Sequence, residues 1–210
     1  MAVEIELKAW ADNPGAVREK LDALARFNGE FLKEDTYWKP EESGNMPAGL
    51  PFSGVRIRKE RGKDAGGKAF NAVTVTYKSK EMREGLEVND EREFSVSDAE
   101  PFEELLRRLG LKPAISKRKS GFSWDYDGIT AELAEVAGLG WFAELEVLSD
   151  NSDPETVGIA RRRLLGLLSR LGIGEGRIEA RYYTEMLQLS SLAPDTFFKK
   201  TADSRPRFSL

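Results

Sequence analysis

Apolar and polar residues alternate along most of this chain with the two-residue period of strands, and in four stretches the apolar spacing widens to that of helices. The alternation begins at once. Glu4-Ile5-Glu6-Leu7-Lys8 puts two carboxylates and an ammonium on one face and two aliphatic side chains on the other. The same charged face recurs in Arg56-Ile57-Arg58, Thr74-Val75-Thr76-Tyr77-Lys78, Glu91-Arg92-Glu93-Phe94, Lys117-Arg118-Lys119 and Glu144-Leu145-Glu146-Val147. One such strand is ordinary surface, whereas six in one chain predict a charged concavity.

Asp12-Asn13-Pro14 predicts a helix start, with Val17, Leu21, Leu24 and Phe27 as its apolar stripe and Gly29 as its stop. Strands are expected over roughly 30–39, 53–60, 70–79 and 86–96, separated by loops at Glu41 to Pro51 and Gly62 to Lys68 that are rich in Gly, Pro and polar residues. Ser97-Asp98 opens a second helix carrying Phe102, Leu105, Leu106 and Leu109, with Gly110 as its stop. Strands over roughly 114–126, 129–136 and 141–149 follow, two of them joined by an Asp127-Gly128 hairpin turn. Helices from Asp153-Pro154 to Leu171 and from about Gly176 to Ser190 complete the order.

Each half reads strand, helix, three strands, which is consistent with a pseudo-twofold repeat and equally with coincidence. Eight mostly antiparallel strands favour closure, because closure removes exposed edges. The fold class expected is α+β: a closed eight-stranded antiparallel β-barrel with a polar, charged interior. Helices would cover the outward Ile5, Leu7, Val73, Val75, Leu145 and Val147. Residues 1–190 are expected to form one domain, and 191–210, with Phe197-Phe198, a tail or short docking segment.

The formal charge of -4 is small beside 32 basic and 36 acidic residues, so bulk electrostatics predict neither a nucleic-acid nor a membrane partner. With no Cys there is no disulfide, thiolate nucleophile or zinc-thiolate site; with no His there is no imidazole base. A metal held by carboxylates alone should be hard, Mg²⁺ or Mn²⁺ first. The N-terminus lacks the apolar run of a signal peptide and no stretch reaches the length of a membrane span, which makes cytoplasmic the expected location.

Strand parity turns Glu4, Glu6, Lys8, Arg56, Arg58, Lys78, Glu91, Glu93, Lys117, Lys119, Glu132, Glu144 and Glu146 inward, six cations and seven anions. Arg forks and Lys ammonium groups suit polyphosphate oxygens, and carboxylates tolerate that ligand when a divalent cation sits between. The alternative is a set of solvated strand faces with cross-strand ion pairs.

At this point the chain resembles a known family. Glu4-Ile5-Glu6-Leu7-Lys8 is similar to the ExExK signature of the CYTH superfamily, the triphosphate tunnel metalloenzymes. The similarity continues through Asp35-Thr36-Tyr37, Arg56-Ile57-Arg58, Thr76-Tyr77-Lys78, the Glu91/Glu93 pair, Lys117-Arg118-Lys119, Gly138-Leu139-Gly140 and Phe142 to Glu146. The resemblance implies a tunnel that binds a triphosphate small molecule, ATP or tripolyphosphate, with Mg²⁺ or Mn²⁺ on glutamates. Glu6, Glu144, Glu146 and Glu132 become the expected metal ligands. Arg56, Arg58, Lys78, Lys117 and Lys119, with Glu91 and Glu93, become the expected substrate-binding residues, and Lys8, Glu4 and Glu6 the catalytic ones.

Members commonly carry an acidic residue where this chain has Ala134; Glu132 lies two residues earlier on the same face. Asp35-Thr36-Tyr37 and the Arg181 to Leu187 segment are similar to class IV adenylate cyclase-type members, and a homodimer is what the resemblance implies. Cyclisation of ATP and triphosphate hydrolysis use the same grip and differ in the nucleophile, so hydrolysis is the alternative, and a non-catalytic polyphosphate-binding barrel a third reading. Proton removal would fall to a metal-activated oxygen, a glutamate or Lys8 with a depressed pKa. Arg61 to Lys68 and Lys80 to Glu84 read as lids over a tunnel mouth or as simple hairpin loops.

Overall fold

A computed structural model describes residues 3–41, 54–83 and 85–192. The elements run β1 (Val3–Trp10), α1 (Pro14–Leu24), β2 (Arg26–Pro40), β3 (Val55–Asp64), β4 (Ala69–Arg83), β5 (Leu86–Val96), α2 (Ala99–Arg108), β6 (Leu111–Tyr126), β7 (Ile129–Val136), β8 (Gly140–Ser149), α3 (Pro154–Arg170), a 3₁₀ turn at Glu175–Arg177, and α4 (Tyr183–Leu192). Among the described residues the fold is α+β, with one large antiparallel sheet and four α-helices. Its strand order is β1-β5-β4-β3-β2-β6-β7-β8, and β8 pairs back onto β1 as a closed barrel.

The outward residues make the core. Ile5, Leu7, Leu133, Leu145 and Val147 are buried with Leu164, Leu167 and Leu168 of α3 and with Val17 and Leu21 of α1. On the opposite wall α2 covers Trp38, Ile57 and Val75 with Ala99 and Leu106. Each fully buried aliphatic or aromatic side chain contributes about 1.5–3 kcal/mol, so the helices hold the barrel together from outside and leave its interior to polar groups. At one end the inward residues turn apolar: Val136 and Phe142 pack against Tyr183 and Met186 of α4.

Several boundaries differ from the sequence reading. α1 ends at Leu24, where Ala25 turns extended, and Phe27 belongs to β2, packed edge-on against Trp124 at 5.6 Å. Gly29 stops no helix: it sits at a β-bulge with φ 146°, where a Cβ would come 2.2 Å from the Lys63 carbonyl oxygen. The segment from Gly62 is largely not a loop, because β3 continues to Asp64 and only residues 65–68 turn. Lys80 to Arg83 likewise lie within β4, and Glu84 lies outside the described residues, as do the expected loop at 42–53 and the tail from 193. The last helix is split: Glu175–Arg177 forms one 3₁₀ turn and α4 begins only at Tyr183. Of the α2 stripe, Leu106 is buried but Leu105 and Leu109 are exposed.

Candidate functional site

The ladder brings the expected residues together across strands. Glu6 of β1 lies opposite Glu146 of β8 on one side and Glu87 of β5 on the other. Lys8 lies opposite Glu144, and Glu144 opposite Glu132 of β7. On the other wall Asp35 of β2 lies opposite Arg58 of β3 and Lys117 of β6, while Lys33 faces Lys119. Alternation turns all of these side chains inward. They line a cavity of about 220 Å³ together with Glu4, Arg56, Glu93, Thr130, Tyr37, Tyr182, Tyr183 and Thr184, Asp35 and Lys8 excepted. Of the expected set, the side chains of Lys78 and Glu91 lie outside the described residues.

Charges inside are arranged as alternating pairs. Lys119 Nζ stands 2.7 Å from Glu132 Oε2 and 2.7 Å from Glu144 Oε2, bridging two carboxylates. Lys33 donates to the other Glu132 oxygen at 2.5 Å. Lys8 donates to Glu87 at 2.9 Å. Arg58 makes a two-bond fork onto Asp35, at 2.7 and 3.0 Å, and Lys117 reaches the same carboxylate at 3.1 Å. Arg56 donates to Thr76 Oγ1 at 2.8 Å and lies 3.5 Å from Glu93. The Tyr183 hydroxyl donates to Glu144 Oε1 at 2.7 Å, and the Lys8 and Lys117 ammonium groups lie 4.9 and 5.1 Å from the centre of its ring.

These pairs fix protonation. Burial alone would raise the Glu132 carboxyl, but Lys119 and then Lys33 outweigh it and hold the group far below the ordinary carboxylate range. Burial also opposes the charge on Glu144, and Lys119 brings its pKa down. Lys119 in turn is pushed up against its own burial by Glu132 and Glu144. For Lys33 burial prevails and its pKa falls. Burial, followed by the Glu144 charge, raises the Tyr183 hydroxyl well above its ordinary value, so it stays a donor.

Lys8 departs from the depressed pKa expected of a base. Burial works against its charge, yet Glu87 and Glu6 overcome that and raise it, leaving a cation. Ala134 is fully buried between Gly121 and Phe142, beyond the cavity lining, whereas Glu132 lies in the lining itself.

Several participants escaped the sequence reading of the site, among them Glu87, Lys33, Asp35 and Tyr183. Glu87 shares the parity of Glu91 and Glu93 and could have been found by extending that strand's face backwards. Lys33 and Asp35 alternate with the lining residue Tyr37, but Phe31-Leu32-Lys33 lacks the regular alternation that marks the other strands. Tyr183 reads as a packing aromatic, and it does pack, with its ring 5.0 Å from Phe142; its hydroxyl bond to Glu144 leaves no mark in the sequence.

The available metal donors are hard carboxylate oxygens, which suit Mg²⁺ or Mn²⁺. Among the described residues no group of three or more acidic side chains stands arranged to hold an ion. Lysine ammonium groups pair with the Glu132 and Glu144 carboxylates.

Residues 2–183 match the CYTH domain family. A Methanocaldococcus jannaschii protein provisionally named an adenylate cyclase is 26% identical over 186 residues, which cover 88% of this chain and 98% of that protein. The adenylate cyclase CyaB of Aeromonas hydrophila is 33% identical over 98 residues, 46% of this chain and 49% of its own length. A solved structure from Pyrococcus horikoshii superposes with a TM-score of 0.71 at 27% identity, covering 89% of this chain and 99% of that one. Among the described residues no helix is long and apolar enough to cross a membrane.

Proposed function

Since the chain belongs to the CYTH domain family, we propose that it is a metal-dependent enzyme acting on a triphosphate, and that its reaction converts ATP to cyclic AMP and pyrophosphate. The observation that carries the reading is one polar cavity in which Lys33, Arg56, Arg58, Lys117 and Lys119 face Glu6, Glu132, Glu144 and Glu146. The names of the M. jannaschii and A. hydrophila relatives favour cyclisation.

In this reading the guanidinium and ammonium groups bind the phosphate oxygens and hold the chain in line for displacement at the α-phosphorus. Glu6, Glu144, Glu146 and Glu132 are the residues that would hold Mg²⁺ or Mn²⁺, which when bound neutralises developing charge on the phosphates. The ribose 3'-hydroxyl oxygen forms the new bond to the α-phosphorus as its proton passes to a lining glutamate, and the bond from the α-phosphorus to the bridging oxygen breaks to release pyrophosphate. Lys8 stays protonated and acts as a cation near that charge. Tyr183, kept neutral, orients Glu144 through its hydroxyl.

A second reading, hydrolysis of tripolyphosphate or another triphosphate, is favoured by the cavity itself. About 220 Å³ lies below the ~300–1,000 Å³ of pockets that enclose a drug-sized molecule, and among the described residues no aliphatic side chain is in the lining to receive a base. The test is to incubate the protein with Mn²⁺ or Mg²⁺ and either ATP or tripolyphosphate, then separate the products. Cyclic AMP with pyrophosphate is expected; phosphate release alone moves the assignment to the hydrolase; binding without turnover overturns both. Glu146→Ala and Glu6→Ala should each abolish the metal-dependent reaction with the fold retained.

A further inference from the structure

Asp35 is absent from the cavity lining yet bonds two cations that line it or flank it. β2 places it directly opposite Arg58 on one neighbouring strand and Lys117 on the other. Its side chain has no solvent exposure. Oδ1 accepts from Arg58 Nε at 2.7 Å, Oδ2 accepts from Arg58 Nη2 at 3.0 Å, and Lys117 Nζ lies 3.1 Å from Oδ2. A two-bond fork sets the plane of a guanidinium as well as its position. Two of the five Arg58 N–H donors are used, and three remain for a ligand. Both Arg58 and Lys117 line the cavity.

We propose that Asp35 is a positioning residue for triphosphate recognition: it holds the Arg58 guanidinium and the Lys117 ammonium side by side so that their remaining donors meet the phosphate oxygens. The inference rests on the triphosphate reading above. It makes a prediction opposite in sign to simple charge counting. A buried carboxylate beside an anion site repels the anion, so its neutralisation alone would tighten phosphate binding. If Asp35 acts by orientation, neutralisation loosens binding, because the arginine swings free and the lysine loses its partner.

The experiment is calorimetric titration of tripolyphosphate without metal into the wild type, Asp35→Asn and Asp35→Glu, with stoichiometry and dissociation constant read separately. Asp35→Asn should raise the dissociation constant roughly tenfold or more at unchanged stoichiometry, the loss expected for misplaced charge-assisted bonds. Asp35→Glu, which keeps the charge and changes the reach, should fall between. A merely structural role would lower the stoichiometry through unfolded protein and leave the constant alone, and that outcome overturns the proposal. So does an unchanged or tighter constant in Asp35→Asn. Should Asp35→Asn fail to fold, Asp35→Glu decides, and wild-type affinity there is the refuting result. A wild type that does not bind tripolyphosphate removes the functional reading and this inference together, whereas binding that is indifferent to residue 35 removes only the inference. Adding Asp35→Asn to Arg58→Ala should cost less than Asp35→Asn costs in the wild type, since only its action on Lys117 then remains.

Discussion

Asp35 and Glu132 are carboxylates held below their ordinary pKa values by cations, and this sets how the protein meets acid. Burial would raise both groups; Lys117 and Arg58 reverse that for Asp35, and Lys119 and Lys33 for Glu132. The unfolded chain therefore takes up protons near pH 4 that the native state refuses. Stability from these groups is fully present above the ordinary values of 3.8 and 4.5 and is lost as pH falls toward the depressed native ones. Denaturant midpoints should be flat from about pH 7 to 5 and drop steeply below about pH 4, and Asp35→Asn should flatten that drop. An acid slope identical in the variant would contradict the assignment. At this scale Glu6, Lys119 and Glu144 were legible because alternation alone determines which face a strand residue occupies. What alternation cannot supply is the partner. Lys119 bridging Glu132 and Glu144, or Arg58 turning to Asp35, depends on register between strands far apart in sequence.

Elements were legible where local chemistry fixes them and blurred where tertiary pairing decides. Asp127-Gly128 folds as the expected turn, with φ of 50° and 71°, and Asp153 and Asp98 cap their helices as their sequence contexts suggest. The end of α1 was misplaced because Phe27 continues a helical spacing while β6 captures it for the sheet. Gly62 was read as a breaker but is a strand residue whose missing side chain admits a neighbour: a Cβ there would come 2.0 Å from the Glu30 carbonyl oxygen. Gly121 is similar, with 2.2 Å to the Leu133 carbonyl oxygen, 2.6 Å to Ala134 Cα and 2.8 Å to Ala134 Cβ. Two of those contacts are backbone, so β6 and β7 would have to part to admit a methyl group. Gly121→Ala should therefore destabilise by about 1–3 kcal/mol in urea denaturation, more than a Gly→Ala change at the open Gly166 in α3. Equal effects at the two positions would mean the sheet relaxes freely around residue 121.

Across the whole molecule the two halves correspond in the ring as well as in sequence. Exchanging β1–β4 with β5–β8 converts the strand order into itself read backwards, with the β1·β5 and β2·β6 pairs each mapped onto themselves. Four seams join the halves, β1·β5, β4·β5, β2·β6 and β1·β8; Glu6 meets Glu87 at the first and Asp35 meets Lys117 at the third. Their juxtaposition needs both halves, which is why neither pairing is visible in either half alone. The same architecture encloses cations and carboxylates together, and they pair with one another. Lys119 spans Glu132 and Glu144, and Lys33 holds the other Glu132 oxygen. A triphosphate that draws these ammonium groups to its own oxygens leaves the carboxylates exposed to a divalent cation, so the two ligands should bind with positive coupling, and linkage makes that coupling reciprocal. Mn²⁺ titrated into the protein alone should bind weakly, and at least roughly tenfold more tightly once the cavity holds a non-hydrolysable triphosphate, after correction for metal bound to free ligand. Lys119→Met, which removes the bridging ammonium, should strengthen binding of the metal alone and shrink the coupling. Equal Mn²⁺ affinity with and without triphosphate would mean that the lysine pairs do not stand in the way of the ion.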